Sequence, residues 1–378
     1  MVHLSRVSPF VVAAGAALLS ISWAEDVSAD KLCLRTRTKV VNGFINLKTG
    51  LKTAGSCPRG FTAVLDTDTF EGADGSLRVY GDGSAGALSV ASSTSLNTVD
   101  TQYTDVTIAA GQTLTVPSGT VIRCTGTFTN EGTISVLTYA IGGRHGSTSD
   151  ASLTTQSGAA HPGIGASSAS NGAFGDNTDT VLGGPEAGSL SEARARQILK
   201  PGPFGGGGGG AGRVFGGSGG GTLTVLCKGA VVNNGTISAN GGATSAGFGD
   251  GGGGGGVVIL ASQTSVTNSA SGTVSVTGAA GEASSIANGA GGGGGGGWTH
   301  FIAPVINSAG TVNVAGGAAG SNSAAVTASR RFGGGCGGSS FGKGGLGGAV
   351  FANNTANAAA AGGPGLALET LTDPTSLF

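Results

Sequence analysis

Charge is scarce in this 378-residue chain: Asp, Glu, Lys and Arg make up 10% of it, and the formal net charge is −1. With so weak a long-range field, gathering nucleic acid or an anionic membrane by electrostatic attraction is excluded as its way of working. Histidine is scarcer still. His145, His161 and His300 stand far apart, with no Cys or acidic neighbour at metal-ligand spacing. Each reads as structural or solvated, and no metal or other cofactor is expected. Beyond the first two dozen residues no apolar run is long enough to cross a bilayer. Glycine runs the other way, with 78 residues, about three times its usual share. It lacks the one-in-three spacing that a collagen triple helix demands, which excludes collagen for most of the chain. A phosphate cradle is missing too, because Gly342-Lys343-Gly344 lacks the hydroxyl partner of a P-loop.

What is present is a phrase used four times: a short β-run, an Asn, then Gly-Thr and a β-branched residue. The copies are GTVIRCTGTFTNEGTIS from Gly119, GTLTVLCKGAVVNNGTIS from Gly221, GVVILASQTSVTNSASGTVS from Gly256 and GWTHFIAPVINSAGTVN from Gly297. The last three begin 35 and 41 residues apart, a period at which each unit buries its apolar edge only by stacking on the next. Strand alternation begins earlier, at Val106, Ile108, Leu114, Val116 and Val121. The fold class expected is all-β: a parallel β-helix (β-solenoid), right-handed or a close variant, with glycine-rich loops and one inserted short helix.

Aligned on the Asn before Gly-Thr, Asn130, Asn233, Asn268 and Asn307 share one position and form a candidate amide ladder. The same offset sets Cys124 against Cys227, as a disulfide between adjacent coils or as two buried thiols. Residues 137–218 are then an insertion looped out of the stack. It contains a helix expected over 190–199, capped by Ser189 with Glu192 three residues on, which would act as a lid or end-cover. The runs Gly205–Gly210, Gly251–Gly256 and Gly291–Gly297 are read either as extended segments paired side by side into a flat glycine face, or as mobile loops. The domain plan is a signal peptide over 1–24, a cysteine-paired module over 25–66, a glycine-containing linker over 67–88, the solenoid over 89–362 and a tail or cap over 363–378.

The opening residues have the layout of a secretory signal: Arg6, an apolar run from Val7 to Ile21, and Ser22-Trp23-Ala24 as a cleavage site. Export permits disulfides. A Cys33–Cys57 bond closing the basic segment KLCLRTRTKVVNGFINLKTGLKTAGSC would contribute roughly 3 kcal/mol by chain entropy. This segment resembles the short cysteine-paired module behind the signal peptide of many bacterial surface proteins, often ahead of a collagen-like stretch or a glycine-rich β-domain. The resemblance covers the N-terminal fifth and the repeat texture, and it implies a location more than an activity. If the other four cysteines pair, Cys336, in a glycine-flanked loop, is left for an intermolecular bond.

Chemistry is thin. Asn177-Thr178-Asp179 and Arg144-His145-Gly146 superficially resemble fragments of the polygalacturonase pattern, in reverse order and without the paired aspartates between them. Trp298 and Phe301 fit solenoid packing better than a sugar-stacking platform. Thr222, Thr236, Thr273 and Thr311 do not repeat as a Thr-x-Thr array across coils, which leaves ice binding as a minor alternative. The function expected is therefore that of a secreted, non-catalytic bacterial surface or matrix protein, serving adhesion to a polysaccharide or other surface ligand, or self-association. The alternative is a polysaccharide-degrading β-helix enzyme using Asp176, Asp179, His145 or Arg144.

Overall fold

The computed structural model describes residues 31–41, 44–54, 62–66, 76–143, 169, 171–176, 180–203, 205–212, 215–244, 247–284, 288–322, 330–353 and 355–378. The expected signal segment, Cys57, Arg144, His145, His161 and Asp179 lie outside these. The chain divides into two compact units, Met1–Arg78 and Val79–Phe378. In the first, strands β1 (Lys31–Val41), β2 (Phe44–Ala54) and β3 (Thr62–Asp66) form an antiparallel sheet in the order β2-β1-β3. Val41 lies opposite Phe44, so only Asn42 and Gly43 connect the two long strands.

The second unit is a parallel stack of six coils with three strands each. The coils are β4 (Leu88–Val90), β5 (Thr94–Ser95) and β6 (Asp100–Tyr103); then β7 (Val106–Ile108), β8 (Thr113–Val116) and β9 (Thr120–Cys124). The third has β10 (Phe128–Asn130) and β11 (Thr133–Val136) and, after β12 (Phe174–Asp176) and the rest of the insertion, β13 (Thr222–Cys227). Next come β14 (Val231–Asn233), β15 (Thr236–Ser238) and β16 (Val257–Ser262), then β17 (Ser265–Asn268), β18 (Thr273–Ser275) and β19 (Trp298–Ile302). The last comprises β20 (Val305–Ser308), β21 (Thr311–Asn313) and, after β22 (Arg330–Phe332), β23 (Leu366–Thr370). Like strands of successive coils pair in parallel, giving three six-stranded sheets: a first led by β4, a second led by β5 and a third led by β6. The solenoid thus runs from Leu88 to Thr370, and the expected tail supplies the edge strand of the third sheet.

Alternation explains the first two sheets. Val106, Ile108, Phe128, Val231 and Val266 from the first, with Leu114, Ile134, Ile237 and Val274 from the second, point inward to one apolar core and are fully buried. In the third sheet β13, β16 and β19 are buried on both faces, which their nearly continuous apolar sequences TLTVLC, VVILAS and WTHFI anticipate. Phe301 faces the core, while Trp298, Ile302, Ile259 and Leu226 lie on the outer side under Leu190, Ala195, Ile198 and Phe378. The covering helix α2 (Glu192–Gln197; α1 is Ser76–Tyr80) starts later than expected, with Ser191 as its cap and the Arg194 N–H donating to Ser191 Oγ at 3.3 Å. Leu190 precedes the helix, and its N–H donates to the Phe341 carbonyl. Glu192 pairs with Arg196 one turn on at 2.7 Å, in place of the expected capping box.

Between the second and third sheets each of the later coils makes an out-and-back excursion, and here the glycine runs lie. Gly251 and Gly254 donate to Gly210 and Gly207, Gly252 and Gly255 to Gly292 and Gly295, and Gly253 and Gly256 to Gly242 and Ala239, at 2.7–3.1 Å. Three neighbours are met in rotation, so the segment has the three-residue period of polyproline II. In return Gly217 and Gly220, Gly338, and Ala279 donate to it from three further segments. Gly291–Gly297 is surrounded in the same way. Both runs are buried throughout, so they form a second core of backbone and neither a surface face nor a set of loops. The insertion is also not simply looped out, since 137–143, 180–190, 205–212 and 215–218 are woven into this bundle.

Glycine is required in the bundle by space. None of Gly251–Gly256 or Gly291–Gly297 has a positive φ. A Cβ on Gly295 would fall on the Gly342 carbonyl oxygen, and one on Gly293 on that of Gly317. Gly295→Ala should therefore lower unfolding free energy by about 1–3 kcal/mol or more, as over-packing does. Chemical denaturation checks this, and a change within about 0.5 kcal/mol would show that the lattice gives way.

Candidate functional site

Four side-chain systems bear on function, and the corner between the first two sheets holds the first. Asn130, Asn233 and Asn268 are fully buried at matching register. Asn130 Nδ2 donates to Asn233 Oδ1 at 2.7 Å, and Asn233 Nδ2 to Asn268 Oδ1 at 2.8 Å. Their second N–H bonds reach the carbonyls of Thr236, Thr273 and Thr311 in the next coil, at 3.2–3.3 Å. Asn307 does not join. β20 enters one residue out of the expected register, so that Ser308 stands opposite Asn268 while Asn307 pairs with Thr267 on the outward parity. On the third sheet Cys124 and Cys227 are register partners, with Cα atoms 4.5 Å apart, joined by a disulfide. The side chains of Cys33, Asp176 and Arg330 are not described; on the backbone Cys33 faces Lys52 and Asp176 faces Arg330.

Cys336 is not in an exposed loop. It is fully buried among Ala169 and Ala187, and its main chain accepts from Gly210 in the glycine bundle. A thiol so enclosed cannot reach a second chain, which removes the intermolecular bond.

The second system is a pair of acids at the end of the bundle away from the sheets. Asp250, fully buried, accepts from the Gly212 N–H at 2.7 Å and the Phe215 N–H at 3.3 Å. Glu282 accepts from the main-chain N–H groups of Gly247, Phe248 and Asp250. Both carboxylates close chain reversals, as Asp does at a helix cap. The same end is tied by main-chain bridges Phe248–Ser284, Asn288–Phe332 and Val181–Val350. No sequence motif announced these acids; the only signal was Asp250, an isolated acid directly before Gly251.

The third is His300, buried on the outer face of the third sheet with Nε2 2.8 Å from Thr370 Oγ1. Burial first, then the positive charge of Arg196, pushes its pKa down to about 4 from the usual 6.5. The ring is neutral in the folded protein where an unfolded histidine is already protonated. Its contribution is fully present above pH 6.5 and is lost as pH falls towards 4.

The fourth was missed in the sequence. On the second sheet Thr113, Thr133, Thr236, Thr273 and Thr311 are consecutive register partners, and Thr115, Ser135, Ser238, Ser275 and Asn313 form a second row two residues on. Thr222, which the sequence reading grouped with them, belongs to the third sheet, where it is buried and donates to the Gly202 carbonyl. The signal was available as Thr-x-Thr/Ser at 113, 133, 236 and 273, once serine is counted as a hydroxyl.

Among the described residues no group of three His, Cys, Asp or Glu side chains could hold a metal ion, and no helix is long and apolar enough to cross a membrane. No protein-family model, curated protein or solved structure matches the chain.

Two stability measurements probe the site. Asn233→Ala should cost about 2–4 kcal/mol, because it leaves buried groups of both neighbouring amides without their partner, whereas Asn307→Ala should stay within about 0.5 kcal/mol. Equal costs would break the ladder assignment. Between pH 7 and pH 4 the parent should lose up to about 3 kcal/mol more stability than His300→Phe, the worth of its lowered pKa. Parallel pH curves would show that the imidazole does not report burial.

Proposed function

We propose that the protein is an exported, non-catalytic scaffold of the bacterial surface or extracellular matrix, serving adhesion or self-assembly, and that an N-terminal module stapled by Cys33 and Cys57 precedes the scaffold. The observation that carries this reading is the joining of two differently built rigid bodies, solenoid and glycine bundle. The bundle's reversals are gathered and cross-linked at one end by Asp250, Glu282 and the bridges Phe248–Ser284 and Asn288–Phe332. Rigid backbone that carries loops to one end suits presentation of a contact surface, since little order has to be gained on binding. Asp250, Glu282 and His300 serve the fold: the two acids hold main-chain N–H groups and His300 is held neutral under α2. The Cys124–Cys227 disulfide fits an oxidising compartment.

The test is incubation of the full chain with a panel of bacterial and plant polysaccharides. Polymer length should stay constant, with retention on a polymer or concentration-dependent self-association in sedimentation. Shortening of a polymer that Asp179→Asn abolishes would replace this reading with a carbohydrate-active enzyme.

A further inference from the structure

We infer that the outward face of the second sheet binds ice. The face carries two parallel rows of small polar side chains. The first runs Thr113, Thr133, Thr236, Thr273, Thr311, and the second Thr115, Ser135, Ser238, Ser275, Asn313. The register is unshifted at every step between coils, so the rows repeat at about 4.8 Å along the stack and stand roughly 6.7 Å apart along each strand. These repeats are comparable to the oxygen spacings of hexagonal ice. The inner four coils hold their array residues half-buried and those of the last coil are exposed. None of the five threonine hydroxyls of the first row is hydrogen-bonded to another described group. Each therefore keeps a donor and two acceptor sites for water, next to a methyl group that restricts the water around it.

Three further observations favour a water lattice over another ligand. Neither row contains a charge, so an ionic partner gains nothing there. Neither contains an aromatic ring, so the apolar face of a sugar has no platform. The rows are also held from behind: Asn130, Asn233 and Asn268 hydrogen-bond the carbonyls of Thr236, Thr273 and Thr311, the residues whose side chains form the first row. A periodic solid is recognised only by groups kept in period. Here the ladder keeps the threonine rows in step while the array loses little conformational freedom on contact. The first sheet is a built-in contrast. Its outward line Ser89, Thr107, Thr129, Val232, Thr267, Asn307 is a single row interrupted by valine.

The experiment uses the full chain and three readouts: thermal hysteresis, inhibition of ice recrystallisation, and the fraction of protein incorporated into slowly grown ice. The parent should show all three. Thr236→Tyr, at the centre of the array, should reduce hysteresis severalfold. Thr267→Tyr, the same change on the outward row of the first sheet, should leave it at the parent value. The shape-conserving double change Thr236→Val with Thr273→Val should also reduce hysteresis, and it guards against misfolding of the tyrosine variant; circular dichroism and melting temperature establish folding for each. Exclusion of the parent from growing ice would overturn the inference. Equal loss on the two sheets, or retention on crystalline chitin or cellulose without any effect on ice, would overturn it as well. Adhesion through the end of the bundle is unaffected by either outcome.

Discussion

The bundle depends on one constraint: along Gly251–Gly254 and Gly291–Gly297 each glycine hands its N–H to one neighbour and takes an N–H from another, in directions that rotate by a third of a turn per residue. Gly252 donates to Gly292 and Gly253 to Gly242, while Gly254 donates to Gly207. A β-strand spreads its hydrogen bonds in one plane, but a three-residue period spreads them around the axis, so that one segment is enclosed on all sides. Glycine gives up more conformational freedom on ordering than any other residue. At roughly 0.5–1.5 kcal/mol net per hydrogen bond, an isolated extended glycine run does not offset that. Enclosure does, because each ordered residue takes part in two bonds and the carbonyl oxygens of six neighbours exclude water. The geometry also determines what the bundle cannot be: with Gly251–Gly256 and Gly291–Gly297 buried, they offer no flat face to a ligand.

The coil stack was largely legible and the bundle was not, for physical reasons. In the solenoid, period-two alternation marks the inward positions, and residues with a special task mark the register; Cys124 with Cys227 and Asn130 with Asn233 are such pairs. In a run of glycine no side chain reports a period, so three per turn is hidden even when every residue obeys it. The remaining differences came from tertiary context. Ser189 and Glu192 have capping-box spacing, but Ser191 caps instead, and the Leu190 N–H is used by the Phe341 carbonyl. Asn307 follows Ile306 as Asn233 follows Val232, yet β20 enters one residue displaced and Ser308 takes the inward place. The threonine rows were obscured when a threonine of the third sheet, Thr222, was grouped with residues of the second.

Titratable groups follow the same economy of backbone. Asp250, directly before Gly251, and Glu282 accept from main-chain N–H groups of neighbouring segments. His300 is enclosed by Trp298, Leu368 and the helix side of the sheet, with Arg196 adding a charge that further disfavours its protonation. A group used as a fixed acceptor, or held neutral by burial, is poorly placed to exchange protons with a substrate. The described acids of the bundle are accordingly part of its architecture.

The three faces of the solenoid differ because the chain treats them differently. The third sheet loses its outer face to α2, Leu190 and Phe378. Four of the first sheet's six strands have only three residues, turning two inward and leaving one outside, and the outward row carries a valine. From β8 onward the second sheet presents two residues per strand, half-buried in four coils and exposed in the last. It is also the face whose carbonyls the buried asparagines hold from within. Rigidity, neutrality and two-dimensional repeat therefore coincide on one surface. A soft or charged ligand would draw no benefit from that combination, whereas a surface that is itself neutral, rigid and periodic draws benefit from all three. Regularity that needed only to stack coils could have ended at the inward residues; its continuation in the outward hydroxyls ties this face to a periodic counterpart.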